Sequence, residues 1–164
     1  MRFGWIKSLA LATGLLSVMG LAACDRKPSA QELAKASAEA DSFLAKNAKE
    51  QGVVTTASGL QYKVEKAGDP KGPKPGLNTE VKVHYEGKLL NGTVFDSSYE
   101  RGVPAVFTPA SLVPAWQEAL PMMRPGDVWT LYVPPKLGYG EAGTGPIPPN
   151  AVLVFKLELV AVKS

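Results

Sequence analysis

The stretch Val81-Lys82-Val83-His84-Tyr85-Glu86-Gly87-Lys88-Leu89-Leu90-Asn91-Gly92-Thr93-Val94-Phe95 decides how this chain folds. Val81, Val83 and Tyr85 alternate with Lys82, His84 and Glu86, the pattern of a strand with one buried face. Asn91-Gly92 then stands between two strand patterns, which is the strongest short-range hairpin signal. Upstream, Leu60, Tyr62 and Val64 repeat the alternation, and Gly68-Asp69-Pro70-Lys71-Gly72-Pro73-Lys74-Pro75-Gly76 is a loop by composition. Downstream, Val128–Val133 and Val152–Val162 read as two more strands. In the last, Leu153, Phe155, Leu157 and Leu159 share one face, and Lys156 and Glu158 take the other. Ser111–Leu120 is the helical candidate of this half: Pro114 suits an early helical position, and Pro121 forbids much extension. With no internal repeat, the prediction is an α+β domain, an antiparallel sheet with one short helix on its apolar face.

Ahead of the strands, Ser29 can cap a helix and Glu32 can close a capping box. Leu33, Ala36, Ala40, Phe43 and Leu44 recur at helical spacing, Lys46 and Lys49 suit the C-terminal end, and Gly52 is read as the stop. The stripe is thin and alanine-rich, equally a solvated spacer or a dimer seam. A surface adhesin resting on residues 29–51 is disfavoured, because that segment is too short to hold a seam alone.

Composition excludes several chemistries. With one Cys and one His in 164 residues there is neither a Cys/His zinc site nor an intrachain disulfide, and no cofactor or metal is predicted. A formal charge of +3 is too small for a nucleic-acid footprint. Arg2 and Lys7 precede an apolar run, Ser8–Ala23, that ends Leu21-Ala22-Ala23-Cys24. That layout reads as a secretory leader of residues 1–23, somewhat short for a membrane span. It also resembles the bacterial lipobox, in which the Cys is lipidated and becomes the first mature residue. Cys24 is the predicted lipidation site, anchoring the chain to a membrane without spanning it. Asp25 resembles an inner-membrane retention signal, but inner versus outer membrane stays open.

Gly138-Tyr139-Gly140-Glu141-Ala142-Gly143 matches a dinucleotide fingerprint literally, yet Thr144-Gly145-Pro146-Ile147-Pro148-Pro149 follows, where a helix would have to open. The match is a decoy. His84 faces away from Val83 and Tyr85 and reads as a surface histidine. Tyr85, Phe95, Trp116, Tyr139 and Phe155 read on spacing alone as core; a pocket reading gains because Tyr, Trp and Asp96 bring polar groups that a plain core avoids.

Val81 through Gly87, then Gly92-Thr93-Val94-Phe95-Asp96-Ser97-Ser98, resemble the FK506-binding-protein (FKBP) family of peptidyl-prolyl isomerases. So do Val113-Pro114-Ala115-Trp116, Met123-Arg124-Pro125-Gly126-Asp127, Tyr139-Gly140, Ile147-Pro148-Pro149-Asn150-Ala151 and Leu153-Val154-Phe155. The likeness covers about residues 58–162. Phe43–Ala48 through Ser58-Gly59-Leu60-Gln61-Tyr62 resembles the bacterial envelope branch, the macrophage-infectivity-potentiator-like proteins.

The resemblance implies a bent antiparallel sheet wrapped on a short helix, with an apolar pocket between them. Trp116 would be its floor, lined by Tyr85, Phe95, Phe107, Leu112, Val113, Ile147 and Phe155. Asp96 and Tyr139 would be polar members near the substrate carbonyl, with Arg101 the partner of Asp96. Tyr85, Phe95, Asp96, Tyr139 and Phe155 are the candidate catalytic set. Two positions depart from the family pattern, Ala105 after Pro104 and Ala115 before Trp116, and the first is expected to widen one wall. The expected organisation is a leader at 1–23, an anchor and helical spacer at 24–57, and an isomerase domain at 58–164. The expected function is proline isomerisation in protein folding at the bacterial envelope, facing the periplasm, as a monomer or weak dimer, with FK506-like macrolides as further ligands. A proline-segment-binding chaperone module with incidental turnover is the alternative.

Overall fold

The computed structural model describes residues 27–163; the leader and the lipidation candidate Cys24 lie outside the described residues. The alternation over Val81–Leu89 forms the central strand β3, with Val81, Val83, Tyr85 and Gly87 buried and the residues between them turned outward. It is one of seven strands: β1 (Val53–Thr55), β2 (Gln61–Lys66), β3 (Val81–Leu89), β4 (Val94–Ser97), β5 (Ala105–Phe107), β6 (Val128–Val133) and β7 (Leu153–Val162). Their order is β1-β2-β6-β7-β3-β4, with β5 also on β3, and every pairing is antiparallel. The expected α+β class is borne out.

The Asn91-Gly92 hairpin forms, with a longer loop than the dipeptide alone requires. Gly92 N–H donates to Leu89 O at 2.9 Å, Leu89 N–H donates to Thr93 O at 2.9 Å, and Asn91 Oδ1 accepts from Thr93 N at 3.0 Å. Only Gly92 of the pair takes positive φ (+87°), so a turn followed by one left-handed residue reverses the chain.

The sheet's inner face carries the core: Val81, Val83, Leu131, Val133, Leu153, Leu157 and Leu159, joined by Leu60, Leu120 and Met123, each at most 1% exposed. Each such side chain contributes about 1.5–3 kcal/mol of burial. Helix α2 (Pro114–Ala119) lies against this face and buries Ala115, Trp116 and Ala119. It is shorter than the expected 111–120. Ser111 belongs to a separate 3₁₀ turn, Pro109–Ser111, and Leu120–Met122 forms another. The cause is Pro114, whose ring forces the preceding residue out of helical geometry, so that Val113 (φ −61°, ψ 150°) is the N-cap.

Helix α1 (Ala30–Asn47) starts as predicted: Ser29 Oγ accepts from Glu32 N–H at 3.2 Å, and the Glu32 carboxylate accepts from Ser29 N–H at 2.7 Å. It ends at Asn47, five residues before Gly52; between them Lys49 N–H donates to Lys46 O and Glu50 N–H to Asn47 O, each at 3.0 Å, in tighter turns that run to the positive φ of Gly52 (+84°). Asn47 Nδ2 donates to Gln61 Oε1 at 2.8 Å, and Gln61 Nε2 donates to the Leu44 carbonyl at 2.9 Å. Asn150 Nδ2 adds a bond to the Leu33 carbonyl at 3.1 Å, and Phe43 lies 6.1 Å from Tyr132. The helix is therefore docked on the sheet, although Ala40 and Asn47 are its only buried residues. Among the described residues, no helix is long and apolar enough to cross a membrane.

Candidate active site

The site grows from an irregularity in β4. Gly87 pairs with Asp96 and Lys88 with Val94, so Phe95 has no partner on β3 and the strand bulges there. Consecutive residues of a regular strand point to opposite faces; a bulge resets the alternation. Phe95 and Asp96 consequently both line a cavity of about 240 Å³, together with Tyr85, Phe107, Leu112, Val113, Trp116, Tyr139 and Phe155.

Trp116 is 4% exposed and occupies the centre of an aromatic cluster. Its ring meets Tyr85 at 5.3 Å and 84°, Phe155 at 5.3 Å and 83°, and Phe107 at 6.1 Å and 83°. Phe95 is edge-on to Phe155 at 5.6 Å. Such T-shaped contacts set partial positive ring edges against negative faces and fix the ring orientations. The Trp116 indole N–H is buried with no hydrogen-bond partner in the protein.

One side of the cavity is polar. The Tyr85 hydroxyl donates to Asp96 Oδ2, Arg101 Nη1 pairs with Asp96 Oδ1, and Arg101 Nη2 donates to the Tyr85 hydroxyl at 2.9 Å. Burial raises the Asp96 carboxyl, but the hydrogen bonds from Tyr85 and Arg101, with the guanidinium charge, together outweigh it and hold the carboxyl below its ordinary value. Burial first, and then the bond to Asp96, push the Tyr85 phenol up. Neutral phenol, ionised carboxylate and guanidinium therefore coexist at neutral pH. Among the described residues there is no group of three His, Cys, Asp or Glu that could hold a metal ion.

Of the residues expected at the pocket, two stand apart from its lining. Ile147 is 6% exposed and belongs to the core cluster, its backbone bridged to Thr144. Arg101, half exposed, sits at the rim. Tyr139 lines the cavity with 40% of its surface open to solvent. It stands in the decoy glycine loop, which turns from Leu137 to Gly143 without opening a helix. Gly143 (φ +64°) leaves no room for a Cβ against the Ile147 carbonyl, so these glycines serve the turn. Ala105 is half-buried against the core and does not line the cavity.

Sequence reasoning missed three supports. Gly87 lies under the Phe95 and Phe155 rings, and its inward position on an alternating strand was the available signal for close approach. Ser98, fully buried, accepts from Tyr85 N–H through its Oγ at 2.8 Å, while its own N–H donates to the Tyr85 carbonyl at 2.9 Å. His84 is outward-facing as expected but half-buried, with Nδ1 3.0 Å from Ser98 Oγ and its ring stacked on Tyr99.

An apolar hollow on a tryptophan floor, with a Tyr–Asp–Arg cluster along one side, is the arrangement that the resemblance to the FK506-binding proteins implied. The sequence pattern of the "FKBP-type peptidyl-prolyl cis-trans isomerase" family matches residues 71–160, and that of the "Domain amino terminal to FKBP-type peptidyl-prolyl isomerase" matches residues 17–64. The chain belongs to the FKBP-type peptidyl-prolyl cis-trans isomerase family. It is similar to the "Peptidyl-prolyl cis-trans isomerase Mip" of Coxiella burnetii, 57% identical over 122 residues that cover 74% of this chain and 52% of that one. It is likewise similar to the "Outer membrane protein MIP" of Legionella longbeachae, 46% identical over 127 residues, 77% of this chain and 54% of that one. The chain spans about half the length of these curated relatives. Among solved structures, FkpA from Escherichia coli superposes with a TM-score of 0.76 at 42% identity, covering 81% of this chain and 62% of that one.

Proposed function

We propose that this chain is a peptidyl-prolyl cis-trans isomerase that assists protein folding in the bacterial cell envelope. Its substrates are proline-containing polypeptides, and FK506-like macrolides compete for the same cavity. The observation that carries the reading is the aromatic hollow over Trp116 with Asp96 and the Tyr85 hydroxyl along one side. Rotation about an X-Pro bond breaks amide resonance against a barrier of about 18–20 kcal/mol, so the uncatalysed step takes tens to hundreds of seconds. A twisted amide is less charge-separated than a planar one, and an apolar, water-poor wall favours it over the ground state. Each ~1.4 kcal/mol of that preference gives about tenfold in rate.

In this reading the prolyl ring rests on Trp116, enclosed by Phe107, Leu112, Val113 and Phe155, while Tyr85, Phe95, Asp96 and Tyr139 face the rotating amide. Asp96, ionised and tied to Tyr85 and Arg101, supplies the polar contact; Tyr139, at the open side, reaches the substrate carbonyl. Attachment to a membrane through lipid on Cys24, with the domain facing the periplasm, completes the proposal. It is supported by the lone Cys that closes an apolar run.

Proline-limited refolding of a test protein, with and without the detergent-solubilised full chain, tests the activity. The expected result is acceleration that falls about tenfold or more in kcat/KM for Asp96→Leu, at least ~1.4 kcal/mol of transition-state stabilisation, with an unchanged melt. No acceleration at micromolar protein supports the binding-module alternative, and an Asp96→Leu chain that isomerises like wild type removes Asp96 from the catalytic set. Mass spectrometry of the mature N-terminus tests the anchor, and an unmodified Cys24 refutes it.

A further inference from the structure

Tyr99 lies outside the cavity, yet it is among the most heavily engaged residues near it. Its ring stacks on His84 with centroids 4.9 Å apart and 14° between planes, and the Lys156 ammonium lies 5.1 Å from its centroid. Its hydroxyl donates to Glu158 Oε2 at 3.1 Å. His84 is on β3 and Lys156 and Glu158 are on β7, so Tyr99 spans two strands on the sheet's outer face. Tyr99 also begins a tight turn, Tyr99-Glu100-Arg101-Gly102, closed by the Gly102 N–H on the Tyr99 carbonyl at 3.0 Å. Arg101 is the third residue of that turn and reaches back to Asp96 and Tyr85.

An exposed ion pair is ordinarily worth little, because holding two long side chains in one geometry costs entropy. The Arg101–Asp96 pair is nearly half exposed on both sides, so what keeps the guanidinium in place is the backbone that carries it. That backbone is fixed at Ser98, locked to Tyr85 by backbone and hydroxyl bonds, and at Tyr99.

We infer that Tyr99 is a positioning residue for the site: its ring, stacked on His84 on the outer face of the sheet, holds Arg101 against Asp96 and the Tyr85 hydroxyl on the inner face. The inference rests on the proposed isomerase reading only for its effect on rate; the positioning itself is measurable without turnover.

The test is a carbon-13 NMR titration of the Asp96 carboxyl in the full chain, comparing wild type, Arg101→Ala, Tyr99→Ala and Tyr99→Phe, with a thermal melt for each. The carboxyl of wild type titrates below the ordinary aspartate value. Arg101→Ala moves it upward, Tyr99→Ala moves it most of the same distance, and Tyr99→Phe, which keeps the stacked ring, leaves it near wild type. In the same series kcat/KM falls severalfold for Tyr99→Ala and stays near wild type for Tyr99→Phe. Should Tyr99→Ala not melt cooperatively, His84→Ala removes the stack from the other side and carries the same expectation. A Tyr99→Ala carboxyl that titrates like wild type while Arg101→Ala shifts overturns the inference, and so does an Arg101→Ala chain with no shift. A wild type that does not isomerise refutes the proposed function and leaves the titration to be read on its own.

Discussion

Gly87→Ala adds one methyl group to β3 at the point where the aromatic wall is built. The added Cβ would stand 2.6 Å from two ring carbons of Phe95 and 2.7 Å from one of Phe155. Non-bonded carbons rest near 3.5–4.0 Å, so each ring must withdraw by about 1 Å. The φ of Gly87 is outside the left-handed region, so the backbone accepts alanine and the penalty is packing alone. Phe155 cannot withdraw freely, being 5% exposed and set edge-on against Trp116. Phe95, half-buried at the bulge, gives way toward the cavity. Overpacking of this kind costs about 1–3 kcal/mol, and removing a strand glycine returns about 0.5–1 kcal/mol. The net is a loss of about 0–2.5 kcal/mol, or a Tm lower by up to roughly 10 °C for a chain of this size. Activity suffers more than stability, because a displaced Phe95 ring occupies a cavity of only about 240 Å³. A tenfold or larger fall in kcat/KM is expected, measured on a proline-containing tetrapeptide beside a calorimetric melt. A variant that keeps both melt and rate would refute the claim that the two rings occupy the space above Gly87.

Asp127→Ala is expected to destabilise without touching the cavity. The buried Asp127 carboxylate accepts from Gly68 N–H at 2.6 Å and Arg124 N–H at 2.7 Å, and stranding two amides costs about 2–6 kcal/mol; urea unfolding reads the loss while kcat per folded molecule holds. Alkaline pH is expected to weaken the fold through Tyr99, whose phenol is pushed up to about 12 from 10.0 by burial and then by its bond to Glu158. Because the folded value is raised, this stabilisation is complete below pH 10.0 and is lost as pH climbs toward 12. Melts across that window should fall less steeply for Tyr99→Phe. Asp96 has the opposite sign: its folded value is lowered, so its contribution is present above pH 3.8 and disappears as pH falls through the folded value. That contribution is small, because the side chain is 44% exposed.

The strands of this fold were legible because burial is one-sided: Val81, Val83 and Tyr85 face the core while Lys82, His84 and Glu86 do not, and such a pattern is written residue by residue. The start of α1 was legible for a similar reason, since a capping box is a contact between near neighbours. Its end was not. The helix gives way after Asn47 to tighter turns, and Gln61, fourteen residues on, binds both the Asn47 side chain and the Leu44 carbonyl. A strand period places Gln61 opposite Leu60 and so toward solvent, and only the tertiary arrangement shows that α1 covers that face. Tyr99 and His84 escaped for a different reason: they continue the pairing of β3 with β4 across the hairpin, and the bulge at Phe95 shifts that register by one residue from what a regular hairpin would give.

The cavity shows how far local rules carry and where they stop. On a regular strand Phe95 and Asp96 would diverge, and a site using both would be impossible. The register between β3 and β4 resolves the conflict by passing over Phe95, pairing Gly87 with Asp96 and Lys88 with Val94. The same displacement brings the Phe95 ring over Gly87, where the missing side chain leaves room for it and for Phe155. Gly87, the bulge and the hairpin turn are thus one device. The turn at Leu90–Gly92 sets which residues of β4 face β3, the bulge turns two neighbours to one side, and the glycine accepts the ring that results. A one-residue change in that turn would move every β4 side chain to the other face, taking the Asp96 carboxylate from the Tyr85 hydroxyl and the Phe95 ring from the cavity. The polar and apolar halves of the site therefore depend on a single register.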